Sequence, residues 1–194
     1  GVTGTGPAAT AAMARLRAAL RAYMVLEGED PVAVLSDLET LLRLTEPARA
    51  AAAIYAHVDP GLRRVTLAGA GHCPPLVFGA RRLEFVETSL SAPLGMLSCW
   101  EAPGVELTVE PGETLVLYTD GLLHRGGGTL DQAFVRLHTA AALAPPEAHE
   151  DPEALCEHLL LTCLPDDDGP QRSGAGLSAP GGEEDVAVLA IRFD

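Results

Sequence analysis

The stretch LVLYTDGLLHR (residues 115–125) places an acidic residue directly after a run of apolar residues. Residues 115–119 have the aliphatic and aromatic character of a buried strand. Asp120 follows at the tip of that strand, and Gly121 behind it permits a sharp backbone turn and the close approach of a ligand. Because Asp-Gly is also common turn chemistry, the pattern by itself leaves a binding role and a turn role open.

The composition is that of a globular protein with a strongly acidic surface. The chain has 194 residues, 47% of them hydrophobic, and a formal net charge of −14 with no lysine. This length and hydrophobic content predict one folded domain rather than a disordered chain. The negative charge repels nucleic acid over most of the surface, whereas it suits divalent cations or a partner with a basic face, besides contributing to solubility.

The cysteines and the hydropathy pattern exclude two further classes of protein. Cys73, Cys99, Cys156 and Cys163 form no CxxC pair, which argues against a structural zinc site. Cys156 and Cys163 are expected on one face of a helix in the core. No signal peptide is evident, and no apolar run approaches about 18 residues. We therefore expect no membrane span and a cytoplasmic location.

Periodicity predicts helices at both ends of a run of strands. Residues 7–26 and 31–44 have helical spacing, with Asp30 as the cap of the second helix. Three hairpins and two further helices follow, in this order along the chain: strands 51–59 and 63–71, strands 74–78 and 83–87, strands 104–109 and 114–119, helices 130–143 and 152–164. Residues 165–184 are rich in Gly, Pro and acid and predict a flexible loop, and residues 185–193 predict a final strand. This order lacks βαβ alternation and indicates an α+β fold.

Carboxylates follow or precede two of the predicted strands. Asp120 ends one strand, while Glu184 and Asp185 begin the last one. If the two strands are antiparallel neighbours, the end of one meets the start of the other, and the carboxylates share one edge of a sheet. Mg²⁺ and Mn²⁺ favour such oxygen ligands. An acidic pair before a strand is also often simply solvated, so this alternative stays open.

Five segments, in order, resemble the PPM-type (PP2C-like) serine/threonine phosphatases, and more narrowly their SpoIIE/RsbU-like branch, which regulates sigma factors. The strand motif is PGETLVLYTDG, and the other four segments are GVTGTGPAATAAMARLRAALRAY, AAAIYAHVDPGLRRVTLAGAGHCPPLVF, APLGM and EEDVAVLAIRF. The resemblance implies one PPM-type domain over residues 1–194. It implies an α-β-β-α sandwich of two antiparallel sheets flanked by helices, here lacking its N-terminal strands.

The same resemblance implies a chemistry and a partner. Two Mn²⁺ or Mg²⁺ ions are expected, with Asp120, Asp185 and Glu184 as ligands and Gly121 and Gly4 as supporting backbone positions. A metal-bound water then attacks phosphoserine or phosphothreonine. The implied substrate is a phosphorylated anti-anti-sigma-factor-like protein. No nucleic acid or membrane partner is expected, and a homodimer is left open.

Departures from the family pattern leave two explanations open, a fragment of a longer domain or a degenerate domain. Gly1 stands at the position where the family's glycine motif opens with a metal-binding aspartate, an earlier acidic strand motif is absent, and the closing pair is Glu184-Asp185 where Asp-Asp is usual. Fewer ligands predict weak metal binding and weak catalysis. The alternative is therefore a catalytically impaired pseudophosphatase, or a regulatory binding module, on the same fold.

Other motifs carry less weight. GVTGTG (residues 1–6) precedes a helix but follows no strand, and without any lysine a nucleotide-binding loop is not expected. His72 lies in the AGHCPP corner (residues 70–75) and is expected as a hydrogen-bonded corner residue rather than an acid catalyst. A role of His124 as a proton donor that faces the site is not favoured. Cys73 and Ser98 have no evident base beside them, so a nucleophilic triad is not predicted.

Overall fold

The computed structural model describes residues 1–87, 91–97, 100–101, 104–164 and 185–194. The chain divides into two compact units, each with its own sheet and helices. The N-terminal unit comprises Gly1–His72 and Glu87–Val109, and the C-terminal unit comprises Cys73–Val86 and Glu110–Asp194. The predicted acidic loop, residues 165–184, lies outside the described residues.

The elements are alternating groups of helices and strands. The helices are α1 (Gly6–Glu27), α2 (Pro31–Thr45), α3 (Asp120–His124), α4 (Leu130–Ala142) and α5 (Pro152–Cys163), with a 3₁₀ turn at Pro146–His149. The strands are β1 (Ala53–Asp59), β2 (Arg64–Ala70), β3 (Leu76–Phe78), β4 (Leu83–Phe85), β5 (Val105–Thr108), β6 (Thr114–Tyr118) and β7 (Val188–Arg192).

The N-terminal unit packs its two helices and a three-stranded sheet around a small aliphatic core. The strand order is β1-β2-β5, and both pairings are antiparallel. The Asp30 carboxylate accepts hydrogen bonds from the backbone N–H groups of Val32 and Ala33, as predicted for the cap of α2. The core side chains come from both helices, from β2 and from the segment before β5; they include Leu16, Leu35, Leu38, Leu42, Ala68, Ala70 and Leu94.

The C-terminal unit has a four-stranded antiparallel sheet with α3, α4 and α5 contributing to its core. The strand order is β4-β3-β6-β7, so β6 is a central strand. Leu115 and Val116 of β6 are fully buried, as the apolar run predicted. The Asp151 carboxylate caps α5 by accepting from Glu153 N–H, and Thr129 forms a capping box with Gln132 at the start of α4.

The predicted pairing of the third hairpin is wrong. β5 pairs with β2 in the N-terminal unit, whereas β6 pairs with β3 and β7 in the C-terminal unit. β5 buries only Leu107, as expected of a strand with one face in a core, but β6 is buried along almost its whole length and needs a neighbour on each side. The turn between β5 and β6 leads the chain into the second sheet. In this turn Gly112 has a φ of +84°, and its N–H donates to the Phe193 carbonyl.

Two short elements were not predicted. A helical turn, α3, begins at Asp120 itself, and a 3₁₀ turn lies at Pro146–His149. The strands are also shorter than the sequence pattern indicated. The predicted α+β class with two antiparallel sheets is confirmed. Among the described helices, no stretch has both the length and the apolar character needed to cross a bilayer.

Candidate functional site

The strands that carry the predicted metal ligands are antiparallel neighbours. β6 and β7 pair from Thr114 opposite Arg192 to Tyr118 opposite Val188. Asp120 lies two residues beyond the end of this ladder on one strand, and Asp185 lies three residues before it on the other. The expected pairing is confirmed, and it brings the backbones that carry both carboxylates to the same edge of the sheet.

Thr119 connects the two chain segments at that edge. Its N–H donates to the Ala187 carbonyl at 3.0 Å. Its hydroxyl donates to the Asp185 carbonyl at 2.8 Å and accepts from the Ala187 N–H at 2.9 Å. Three hydrogen bonds therefore fix the backbone that carries Asp185 against the residue that precedes Asp120. Sequence reasoning gave Thr119 no role beyond that of a strand residue.

Asp120 is half-buried and is the first residue of α3. Gly121 follows within this helix and is buried, so the expected isolated turn at Gly121 is replaced by a helical turn. Leu122 and Leu123 are almost completely buried in the core of the C-terminal unit. The short helix is thus anchored by its apolar residues, which holds Asp120 at the edge of the sheet.

The AGHCPP motif supplies a direct neighbour of Asp120. The Cys73 thiol donates a hydrogen bond to Asp120 Oδ1, with an Sγ–Oδ1 distance of 3.0 Å. The sequence separates these residues by 47 positions and shows no evident base beside Cys73, so this carboxylate neighbour was not predicted. A signal was available in the sequence, because both motifs belong to the same family resemblance and flank strands that can pair.

A second contact fixes the same corner to β6. The Tyr118 hydroxyl donates to the Pro74 carbonyl at 2.6 Å, and the Val86 N–H donates to the Pro75 carbonyl at 2.7 Å. Tyr118 is 3% exposed. Burial is the main cause that raises the pKa of Tyr118 far above its ordinary value of 10.0, and the neighbouring acidic groups Cys73 and Asp120 raise it further. The phenol therefore stays protonated and remains a donor.

The structure describes all but one of the remaining predicted site residues. Glu184 is not among the described residues. Gly4 belongs to the N-terminal unit, where its φ of +94° favours glycine and an added Cβ would lie 3.0 Å from Arg49 Nη1. His124 ends α3 and is exposed. His72 is half-buried in the N-terminal unit.

The acidic side chains carried at the shared edge are of the type that binds hard cations. Asp120 and Asp185 offer carboxylate oxygens, and Mg²⁺ is commonly held by one or two carboxylates together with several waters. Within the described part of the chain, no cluster of three His, Cys, Asp or Glu side chains converges. These two carboxylates would supply only part of a coordination shell, and a two-ion site would need further ligands.

Comparison with known proteins identifies the family. The family model described as stage II sporulation protein E (SpoIIE) matches residues 1–194. The RsbU and RsbW domains of Rv1364c from Mycobacterium tuberculosis align with a TM-score of 0.72 at 26% identity, covering 97% of this chain and 49% of that one. This chain thus spans about half the length of that structure.

Two further structures share the fold. The SiaA-PP2C domain of Pseudomonas aeruginosa aligns with a TM-score of 0.68 at 23% identity, over 100% of this chain and 73% of that one. The PP2C phosphatase domain with a regulatory-domain fragment of SpoIIE from Bacillus subtilis aligns with a TM-score of 0.67 at 17% identity, over 98% and 52%. The two-sheet α+β fold described above matches the PP2C fold, and the chain belongs to the SpoIIE family.

Proposed function

We propose that this chain is a metal-dependent protein serine/threonine phosphatase domain. Asp120 and Asp185, with Glu184, would hold Mn²⁺ or Mg²⁺ at the edge where β6 and β7 end. The observation that carries the proposal is the set of three hydrogen bonds from Thr119 to the chain at Asp185 and Ala187, which keeps two carboxylate-bearing segments together.

The metal has a defined electrostatic task in this proposal. A divalent cation, when bound, supplies a water of lowered pKa and neutralises phosphoryl oxygens. The chain has a net charge of −14, and a phosphorylated substrate is itself negative, so the carboxylate edge repels the substrate until a cation compensates the charge. Membership of the SpoIIE family and likeness to PP2C domains support the same chemistry.

The protein side chains contribute support and orientation. Thr119 fixes the spacing between the two acidic segments, and the buried Leu122 and Leu123 anchor the helix that begins at Asp120. This rigid support favours catalysis because positioned ligands need no rearrangement when substrate binds.

We further propose that the substrate is a phosphorylated anti-anti-sigma-like regulatory protein. The support is family membership together with the likeness to the structure of RsbU and RsbW domains. In this proposal residues 1–194 form one PPM-type domain that acts in the cytoplasm. Whether the protein dimerises is left to experiment.

A second candidate is a catalytically impaired member of the family that binds its partner without hydrolysing it. The observation that favours it is the small donor set, since no group of three or more His, Cys, Asp or Glu side chains converges among the described residues. The closing pair Glu184-Asp185, where the family usually has two aspartates, points in the same direction. This form would act as a regulatory binding module.

One assay separates the two candidates. Hydrolysis of p-nitrophenyl phosphate and of a phosphoserine peptide is measured with Mn²⁺ and with a chelator, for wild type, Asp120→Asn and the control Asp131→Asn. Asp131 is an exposed carboxylate in the first turn of α4. Mn²⁺-dependent activity that disappears only in Asp120→Asn supports the phosphatase. Absence of activity in wild type, with retained binding of a phosphorylated partner domain, supports the binding module.

A further inference from the structure

The Cys73 thiol makes a hydrogen bond that determines how the Asp120 carboxylate is oriented. Sγ lies 3.0 Å from Oδ1, and both side chains are half-buried. A carboxylate rotates easily about its terminal bond, and a bond to one oxygen restricts that rotation. The hydrogen bond from the thiol therefore limits the directions in which the second oxygen can point.

The corner that carries Cys73 is held in place without help from Asp120. Pro74 and Pro75 follow Cys73 and have fixed φ angles. The Pro74 carbonyl accepts from the buried Tyr118 hydroxyl, and the Pro75 carbonyl accepts from Val86 N–H. These two contacts anchor the backbone that follows Cys73, which supports the thiol as the partner that orients the Asp120 carboxylate.

The chemical nature of the donor also matters. A thiol is a weak, neutral donor, so it orients a carboxylate without adding positive charge. An arginine or lysine in the same place would compete with a cation for the carboxylate charge. Groups that hydrogen-bond to metal ligands in this way commonly tune metal affinity.

We propose that Cys73 is a positioning residue that orients the Asp120 carboxylate toward a divalent cation. This inference rests on the proposed function, since it assumes that Asp120 is a metal ligand. It adds a role for the AGHCPP motif: the motif places a hydrogen-bond donor at the tip of β6.

Calorimetric titration of Mn²⁺ into the full chain tests the inference without an activity readout. The variants are Cys73→Ala, which removes the donor, Cys73→Ser, which retains one, and the control Cys156→Ala at a half-buried thiol of α5. We expect Cys73→Ala to bind Mn²⁺ roughly tenfold more weakly. The Mn²⁺ affinities of Cys73→Ser and Cys156→Ala should stay within about twofold of the wild-type affinity, a change that is small beside the roughly tenfold loss expected for Cys73→Ala.

Each result of the titration has one meaning. Wild type that binds Mn²⁺ while Cys73→Ala binds it equally well would overturn the positioning role alone. Equal weakening in the Ala and Ser variants would assign Cys73 a packing role and overturn the inference as well. Wild type that binds no Mn²⁺ would overturn both this inference and the proposed function.

A second measurement needs no variant and covers the case in which Cys73→Ala does not fold. Alkylation of wild type by iodoacetamide is followed by mass spectrometry with and without Mn²⁺. A cation on Asp120 should change the rate at which Cys73 is modified, because its Sγ lies beside the occupied carboxylate and a nearby cation favours the reactive thiolate, and it should leave the rate at Cys156 unchanged. Equal rates at Cys73 in both conditions would contradict the inference.

Discussion

The Thr119 hydroxyl lies 2.8 Å from the backbone oxygen of Asp185 and donates a hydrogen bond to it. The same oxygen of Thr119 accepts from Ala187 N–H at 2.9 Å. One side chain thereby extends the pairing of β6 and β7 beyond the last backbone pair, Tyr118 and Val188. The backbone geometry at the edge that carries Asp120 and Asp185 thus depends on Thr119, which is neutral and is not one of the predicted metal ligands.

Replacing Thr119 by Val should weaken both the fold and the metal site. The variant keeps the side-chain shape but loses the hydroxyl, which leaves the Asp185 carbonyl and the Ala187 N–H without this partner. We expect a loss of about 1 kcal/mol in the free energy of unfolding and weaker Mn²⁺ binding. Urea denaturation and Mn²⁺ titration measure the two effects.

Thr119→Ser is the matched control, because it retains the hydroxyl and removes only the methyl group. Recovery of Mn²⁺ affinity in this variant is expected. If the Ser and Val variants bind Mn²⁺ equally weakly, the hydroxyl bridge is not what aligns the site.

Tyr118→Phe should change how stability depends on pH. Burial holds the pKa of Tyr118 above its ordinary value of 10.0, so the folded state keeps the phenolic proton when the unfolded chain releases it. The resulting contribution to stability is complete below pH 10 and decreases as the pH rises above it, by about 1 kcal/mol per pH unit. The variant lacks this decrease.

The measurement is chemical denaturation of wild type and Tyr118→Phe between pH 8 and pH 11. At pH 8 the variant should be less stable by about 1 kcal/mol, because the hydrogen bond to the Pro74 carbonyl is lost. The two stabilities should converge toward pH 11. Parallel pH profiles for the two proteins would show that the Tyr118 phenol does not titrate as its burial implies.

A buried carboxylate in the N-terminal unit gives a prediction about stability alone. Glu39 of α2 is 5% exposed; its Oε2 accepts a hydrogen bond from Gly95 N–H, while Oε1 has no hydrogen-bond partner among the described residues. Glu39→Ala should destabilise the protein by about 1–3 kcal/mol, because the Gly95 N–H loses its acceptor and a cavity is left.

Glu39→Gln should cost less than Glu39→Ala, since the amide oxygen can still accept from Gly95 and no charge is buried. Glu106→Gln, at an exposed residue of β5 that lies 3.7 Å from Arg64, is the control and should change stability by less than about 0.5 kcal/mol. Thermal denaturation compares the three variants. A Gln variant as unstable as the Ala variant would show that the carboxylate charge itself is needed at this position.

Metal binding should also be detectable as stabilisation. A ligand that binds only the folded state raises the free energy of unfolding, by about 2.7 kcal/mol at 100 times its Kd. We therefore expect Mn²⁺ to raise the melting temperature of wild type and of Asp131→Asn. For Asp120→Asn the melting temperature should be insensitive to Mn²⁺, and a full shift in that variant would place the ion elsewhere.

Much of the fold follows from local patterns in the sequence. The cap at Asp30, the helix that it begins and the apolar run of β6 were all predicted correctly, because each depends on residues close together in the chain. The pairing of β5 was not predictable in this way. The local sequence at a turn does not distinguish a hairpin from a connection that leads from one sheet to the other. Only the burial of whole strands distinguishes the two.

The sequence by itself determined that a carboxylate would end the buried strand β6 and that another would precede the last strand. Only the tertiary structure decided what surrounds them: the thiol of Cys73 on Asp120 and the hydroxyl of Thr119 on Asp185. The reason is physical. Residue type and spacing fix local backbone preferences, but a contact between residues 47 or 66 positions apart depends on strand register and on the packing that sets it.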